Sequence, residues 1–318
     1  MQIALLNNLR AGRSGAQVSR ILSLLSQHAD VLHVETESAG ALPDALESIA
    51  NHDVDLMVVN GGDGTLQHTL TAILSEEIFE KTPLIAPLRG GRTNMTALDL
   101  GAHRDPVKGL ARVIEAAKAD RLEPLIVDRP VLRVEFDRGR EAQYGMFFGA
   151  GMIRRAIALT HRVFPTGRSQ GVLGAGLVTA TLIARAAKGD TDGVIQPDKA
   201  QILLDGEMVP QGEFQLVIAS SLDRLFLKMN PFWGEGDGGV RFSSIAAGAP
   251  GIAKAVPGLL AGRPPRHVTA ENGYTSRNVE CAEMRIDCGF TVDGEIYAEN
   301  SDEVVSITAD RRLRFVRA

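Results

Sequence analysis

The stretch Val58-Val59-Asn60-Gly61-Gly62-Asp63-Gly64-Thr65 decides the fold of this chain. Four apolar residues, Leu56 to Val59, run into three glycines set around one aspartate, and Thr65-Leu66-Gln67-His68-Thr69-Leu70 then opens a helical pattern. An apolar run of that length, closed by turn residues, reads as a short buried strand. A strand that breaks into glycines just before a helix leaves backbone N–H groups at the positive end of the helix dipole. No Cβ keeps a phosphate away from them. Asp-Gly by itself is common in plain strand-to-helix turns. Asn60, Asp63 and Thr65 flanking in this order favour a nucleotide-phosphate site made from Gly61, Gly62, Gly64 and Thr65. Asp63, expected on an exposed turn, adds a carboxylate able to hold Mg²⁺ beside the phosphates. A β-branched side chain at Gly62 is expected to enter the phosphate space and to resist a φ above zero.

Upstream and downstream of this loop, strand and helix alternate. Ile3 to Asn7, Val31 to Val34, Asp55 to Val59 and Pro83 to Leu88 read as strands, with helical spacing at Val18-Ile21-Leu22-Leu25, at Leu42-Ala45-Leu46-Ile49, and from Val107 to Ile114. This order predicts an α/β domain over residues 1–125 built on a doubly wound parallel sheet, whose ligands sit at the carboxyl ends of its strands. From about Arg121 the texture changes. Val131 to Phe136, Ile202 to Leu204, Phe214 to Ser220, Glu283 to Asp287 and Phe290 to Val292 look like short strands, and Asp137-Arg138-Gly139 and Asp205-Gly206 look like hairpin turns. They predict a mainly antiparallel, sandwich-like domain over 126–305, with 306–318 returning to the first sheet. Within it, Val172 to Ala187 reads either as a core helix or as a face for an acyl chain, with His161, Arg162, Arg168, Arg185 and Lys188 around it.

Composition narrows the function classes. The 318 residues are 44% hydrophobic, as in an ordinary globular protein of about two domains. A net charge of −5 argues against a dedicated nucleic-acid binder. Cys281 and Cys288 are too few for a disulfide framework or a metal site, which points to a reducing compartment. The start Met1-Gln2-Ile3-Ala4 lacks a signal-peptide pattern, and the longest uncharged run falls short of the roughly 20 apolar residues of a membrane span. A cytoplasmic protein is expected, with reversible contact at the inner membrane face.

In order along the chain, four motifs resemble those of the diacylglycerol-kinase catalytic-domain family, bacterial lipid kinases related to sphingosine kinases and NAD kinases. Asn8-Leu9-Arg10-Ala11-Gly12-Arg13 is similar to the family's Asn-Pro-x-Ser/Ala-Gly loop, with Leu9 in place of proline. Gly61 to Thr65 matches its central signature, and Pro87-Leu88-Arg89-Gly90-Gly91-Arg92-Thr93-Asn94 its Pro-x-Gly-Thr-x-Asn loop. Asp293-Gly294-Glu295 stands where its late Asp-Gly-Glu is expected. The chain departs from the pattern at Met95-Thr96, where Asp-Phe is usual, and at Gln67-His68, where Asn-Glu is usual.

The resemblance implies an ATP-dependent, Mg²⁺-requiring kinase of lipid metabolism that phosphorylates a hydroxyl of diacylglycerol or a related amphiphile. A homodimer is allowed, and no nucleic-acid partner is implied. Asn8, Gly12, Thr36, Thr93 and Asn94 join the glycine loop as nucleotide contacts; Asn94 can also cap the next helix, and Arg89 and Arg92 can clamp phosphate oxygens. Asp63, Asp293 and Glu295 form the catalytic set, Glu295 slightly ahead of Asp293 as base and the other carboxylate orienting it, acting across an interdomain cleft. Asp205-Gly206-Glu207 repeats the same letters inside a solvent hairpin and is read as structural. Asp237, in Glu235-Gly236-Asp237-Gly238-Gly239, is either a ligand of a structural Mg²⁺ or part of a plain loop. Two alternatives stay open: a kinase of a soluble hydroxyl compound, and a nucleotide-binding regulatory protein without turnover.

Overall fold

The structure is a computed structural model that describes residues 1–9, 15–91, 93–163, 196–298 and 303–318. It divides into two compact units, Met1–Arg129 with Arg312–Ala318, and Pro130–Arg311.

In the first unit, strands β1 (Ile3–Asn8), β2 (Leu32–Thr36), β3 (Leu56–Gly61) and β4 (Leu84–Arg89) alternate with helices. These are α1 (Gly15–Leu25), α2 (Leu42–Ala50), α3 (Asp63–Glu76), the short α4 (Met95–Asp99) and α5 (Pro106–Lys118). β1 pairs in parallel with β2 on one side and β3 on the other, and β3 pairs in parallel with β4. Phe315, near the end of the strand Val304–Val316, adds a parallel contact to Ile85 of β4. Strands covered on both faces read as unbroken apolar runs, and Leu5, Leu6, Leu56, Met57 and Val58 are indeed fully buried. Asp105 starts α5 by accepting the Val107 N–H at 2.9 Å, with Pro106 at the first helical position. The Arg20 guanidinium, 2.7 Å away, holds the Asp105 carboxyl below the usual carboxylate range.

The resulting order, β2-β1-β3-β4, reverses direction between β1 and β3. The chain leaves β1 to one side for β2 and returns across it to β3. Open α/β sheets bind ligands outside the carboxyl ends of their strands at such a reversal. Here those ends carry Asn7-Asn8 and Asn60-Gly61-Gly62.

The second unit is rich in antiparallel strands. Glu213–Ser220 pairs with Phe147–Gly151 on one side and Val240–Ala246 on the other, and Val240–Ala246 pairs with Tyr274–Val279. Cys281–Ile286 lies between Asp198–Leu204 and Val304–Val316. The Phe290 ring stacks on Phe136, Phe148 and Tyr297 at centroid distances of 5.9, 5.2 and 5.1 Å, at the centre of this unit's core. Among the described residues, the helices Met152–Val163 and Ile252–Leu260 break the strand pattern. The segment Val172 to Ala187 lies outside the described residues, as do Arg168, Arg185 and Lys188. Among the described residues, no helix is long and apolar enough to cross a membrane.

Candidate functional site

At the carboxyl ends of β3 and β4, two glycine pairs meet backbone to backbone. A Cβ on Gly91 would come within 2.3 Å of the Gly62 Cα, and one on Gly90 within 2.5 Å of Asn60 Oδ1 and 2.8 Å of the Gly61 nitrogen. A Cβ on Gly61 would run into the Thr65 side chain at 2.5 Å. Gly61, Gly90 and Gly91 are therefore required by close packing. Gly62 has φ −93° and ψ −176°, an extended conformation open to any residue. The expected φ above zero is corrected, and a Cβ on Gly62 would make only ordinary contact with the Gly91 Cα at 3.4 Å, so the close approach of the two loops is demanded by Gly91.

The helix also starts earlier than the pattern suggests. Gly62 is the N-cap of α3, without a side-chain capping bond, and Asp63 is its first residue. The start of α3 is thus left to backbone donors, a ready anion site. Asp63 is half-buried, not on an exposed turn as expected, and its Oδ1 accepts the Thr96 N–H at 3.2 Å. Burial pushes its carboxyl above the usual range, against the backbone N–H groups of Met95, Thr96 and Asn94, which pull it down. Asp63 in effect caps α4 from another element.

Asn94 does not cap α4 with its side chain, contrary to expectation. It sits at φ 52°, and its amide grips Gly91, accepting that N–H at 2.6 Å and donating to that C=O at 2.8 Å. The loop from Gly91 to Asn94 is thereby closed on itself and pressed against Gly62. A small concavity opens here, lined by Gly61, Gly62, Asp63, Leu88, Asn94 and Ala97 among others.

Asn8 Nδ2 donates to Thr65 Oγ1 at 2.8 Å, tying the end of β1 to the first turn of α3. Thr36 is buried beside Asn8 in the β1–β2 register and donates its hydroxyl to the Ser38 C=O at 3.0 Å. Thr93 is half-buried in the loop before Asn94, and Gly64 occupies the second position of α3. Gly12 and Arg92 lie outside the described residues. The structure therefore gathers Asn8, Thr36, Gly61, Gly62, Asp63, Gly64, Thr65 and Asn94 within the first unit. It adds a pair that the spacing of the motifs did not single out: Asn60 Nδ2 donates to Asn7 Oδ1 at 2.7 Å, both side chains buried. Two asparagines in register at the ends of neighbouring parallel strands were the available signal.

Asp293 and Glu295 belong to the second unit. They flank a turn between Phe290–Val292 and Glu295–Tyr297, with Asp293 at φ 47°. The Asp293 side chain is turned inward and buried, and its Oδ2 accepts the Met146 N–H at 2.8 Å. Glu295 is exposed at the start of its strand. The repeated letters behave otherwise: Asp205 Oδ1 accepts the N–H groups of Glu280 and Cys281, both at 2.9 Å, and Glu207 pairs with Arg277 at 2.6 Å.

Asp237 is exposed in an extended stretch whose alternate glycines lie flat on a neighbouring strand. Cβ atoms on Gly234, Gly236 and Gly238 would fall 2.2, 2.2 and 1.9 Å from the backbone between Ser276 and Val279. The glycines of this acidic stretch are thus explained by strand-to-strand approach. Among the described residues, no three His, Cys, Asp or Glu side chains come together as a metal cage.

Residues 2–123 match the family model described as diacylglycerol kinase catalytic domain. No curated protein matches the chain. Among solved structures, a diacylglycerol kinase from Bacillus anthracis str. Sterne is similar over 100% of this chain and 97% of its own, at 15% identity and a TM-score of 0.63. An NAD kinase from Archaeoglobus fulgidus in complex with ATP is similar over 99% of this chain and 93% of its own, at 14% identity and a TM-score of 0.50. At such identities the likeness is one of fold. The match that reaches the sequence itself covers residues 2–123, the part of the chain that holds the glycine loops.

Proposed function

We propose that this protein is an ATP-dependent kinase that transfers the γ-phosphoryl group to a hydroxyl of a diacylglycerol-like lipid or related amphiphile. One observation carries the reading: the bare, closely packed Gly61-Gly62 and Gly90-Gly91 backbones at the sheet's reversal, beside the uncapped start of α3. Phosphoryl transfer asks mainly for positioning and for neutralisation of phosphate charge. Backbone N–H groups at a helix start and the amides of Asn8 and Asn60 suit the first task. Mg²⁺ bound to ATP would supply the neutralising charge. Asn8 and Thr65 brace the cradle, and Asp63 keeps α4 and the Asn94 loop in register with it. A carboxylate from the second unit, Asp293 or Glu295, accepts the proton of the attacking hydroxyl. The burial of Asp293 favours it as the one held in a fixed orientation.

The test is transfer of labelled γ-phosphate from ATP to a total lipid extract of the source cell and to diacylglycerol in mixed micelles, with soluble alcohols as the comparison. Label in a chloroform-soluble product is expected. Asp293→Asn and Glu295→Gln should each lower kcat about 10²-fold, with Asp205→Asn and Glu207→Gln unchanged. Label confined to soluble acceptors would sink the lipid reading. Equal losses from both copies of Asp-Gly-Glu would remove the assignment of the base.

A further inference from the structure

The turn from Leu225 to Met229 holds two successive non-glycine residues in the left-handed region, Leu227 at φ 55° and Lys228 at φ 60°. A bulky side chain seldom occupies that region, and strain of this kind persists where the surroundings impose it. The turn is closed by the Leu225 N–H on the Met229 C=O at 2.8 Å. Its product is a leucine that is 55% exposed, one of few large apolar side chains exposed among the described residues.

A second segment lies against this turn. The Asn230 N–H donates to the Leu260 C=O at 2.8 Å, and a Cβ on Gly262 would sit 3.2 Å from Asn230 Nδ2. Leu260 ends the helix Ile252–Leu260, and the chain continues as Gly262-Arg263-Pro264-Pro265-Arg266 with both arginines exposed. Lys228 is exposed as well, and none of these three cations pairs with a carboxylate among the described residues. The sequence around the two arginines is one-sided. No Asp or Glu occurs between Asp237 and Glu271, whereas Arg241, Lys254, Arg263 and Arg266 do, in a chain whose net charge is −5.

We propose that the Leu225–Met229 turn and the Arg263–Arg266 segment together form the contact of this protein with an anionic lipid bilayer. Leu227 enters the interfacial layer, and Lys228, Arg263 and Arg266 meet lipid phosphates. The inference gives a place to the membrane contact that a lipid substrate would require, and so rests on the lipid reading. Vesicle binding needs no turnover, however, so the two can fail separately.

The experiment is co-sedimentation of the full chain with phosphatidylcholine vesicles containing or lacking phosphatidylglycerol, at low and at physiological salt. Binding is expected to phosphatidylglycerol vesicles only and to weaken with salt. At about fivefold per cation, Lys228→Glu/Arg263→Glu/Arg266→Glu should weaken it by on the order of 100-fold. Leu227→Gly should weaken it about tenfold. Glycine relieves the positive φ, so the thermal midpoint of Leu227→Gly should stay level or rise. A fall in that midpoint would mark Leu227 as a packing residue and overturn the proposal. Binding unchanged in both variants would overturn it too, as would self-association lost on Leu227→Gly without vesicle binding. Phosphoryl transfer to a soluble short-chain acceptor should be unchanged in either variant.

Discussion

Asp63 shows how a single side chain can carry two demands. Its carboxylate answers the N–H groups at the start of α4, and burial makes the charged form costly there. The sign of the pH effect follows. A carboxyl whose pKa is raised on folding binds its proton more tightly in the native state. It therefore favours folding most below the ordinary carboxylate pKa of 3.8, and the favour is lost as pH rises through the raised value. Asn keeps one acceptor for the Thr96 N–H and removes the buried charge. Asp63→Asn is thus expected to melt at or above the wild-type temperature at pH 7, with the gap narrowing as pH falls toward 4. Phosphoryl transfer should nevertheless drop by about 10²-fold or more, since a charge beside the phosphates is gone. Melting curves across that pH range and kcat at saturating Mg²⁺–ATP check both halves. Near wild-type kcat would leave Asp63 as a cap alone.

Elements were legible in the sequence to the extent that their periodicity was apolar. β1, β3 and β4 stand out because a parallel strand covered on both faces is a continuous hydrophobic run. Val240–Ala246 and Tyr274–Val279 escaped that reading because serines occupy positions where apolar residues were sought. Ser243 donates to Ser276 at 2.8 Å, so the two strands satisfy each other through hydroxyls. Phe147–Gly151 carries two glycines in five residues and gives little strand signal. The glycine loop was legible as a site, but the reason for its glycines was not. The packing of Gly62 on Gly91 joins residues of β3 and β4 loops that no local pattern connects. From this contact Gly91→Ala is expected to force the loops apart, costing about 1–3 kcal/mol of stability and weakening ATP binding at least tenfold. Urea unfolding and calorimetric titration with ATP test this. Wild-type ATP affinity in the folded variant would mean the glycine pairs serve packing only.

At the scale of the whole molecule, the first unit is completed by residues from the far end of the chain. Phe315, Val316 and Ala318 are fully buried there, and Phe315 pairs with Ile85. The Arg317 N–H donates to the Leu125 C=O at 2.9 Å, and the Ala318 C=O accepts the His103 N–H at 2.6 Å. Ala318 also packs over Gly109 of α5, where an added Cβ would lie 3.5 Å from the Ala318 backbone carbon. This strand borders β4, whose carboxyl end leads into the Gly90-Gly91 loop, so its loss should be felt at the site as well as in the core. Replacing a buried phenylalanine by alanine costs about 3–5 kcal/mol, a large share of the 5–15 kcal/mol of a typical domain. Phe315→Ala is therefore expected to shift the urea midpoint strongly downward, and ATP binding should disappear in the same transition. A chain ending at Arg311 should fail to bind ATP even where the strands of the second unit stay folded by circular dichroism. A Phe315→Ala cost below about 1 kcal/mol, with ATP binding intact, would reduce the returning strand to an ornament on a sheet that β1 to β4 complete alone.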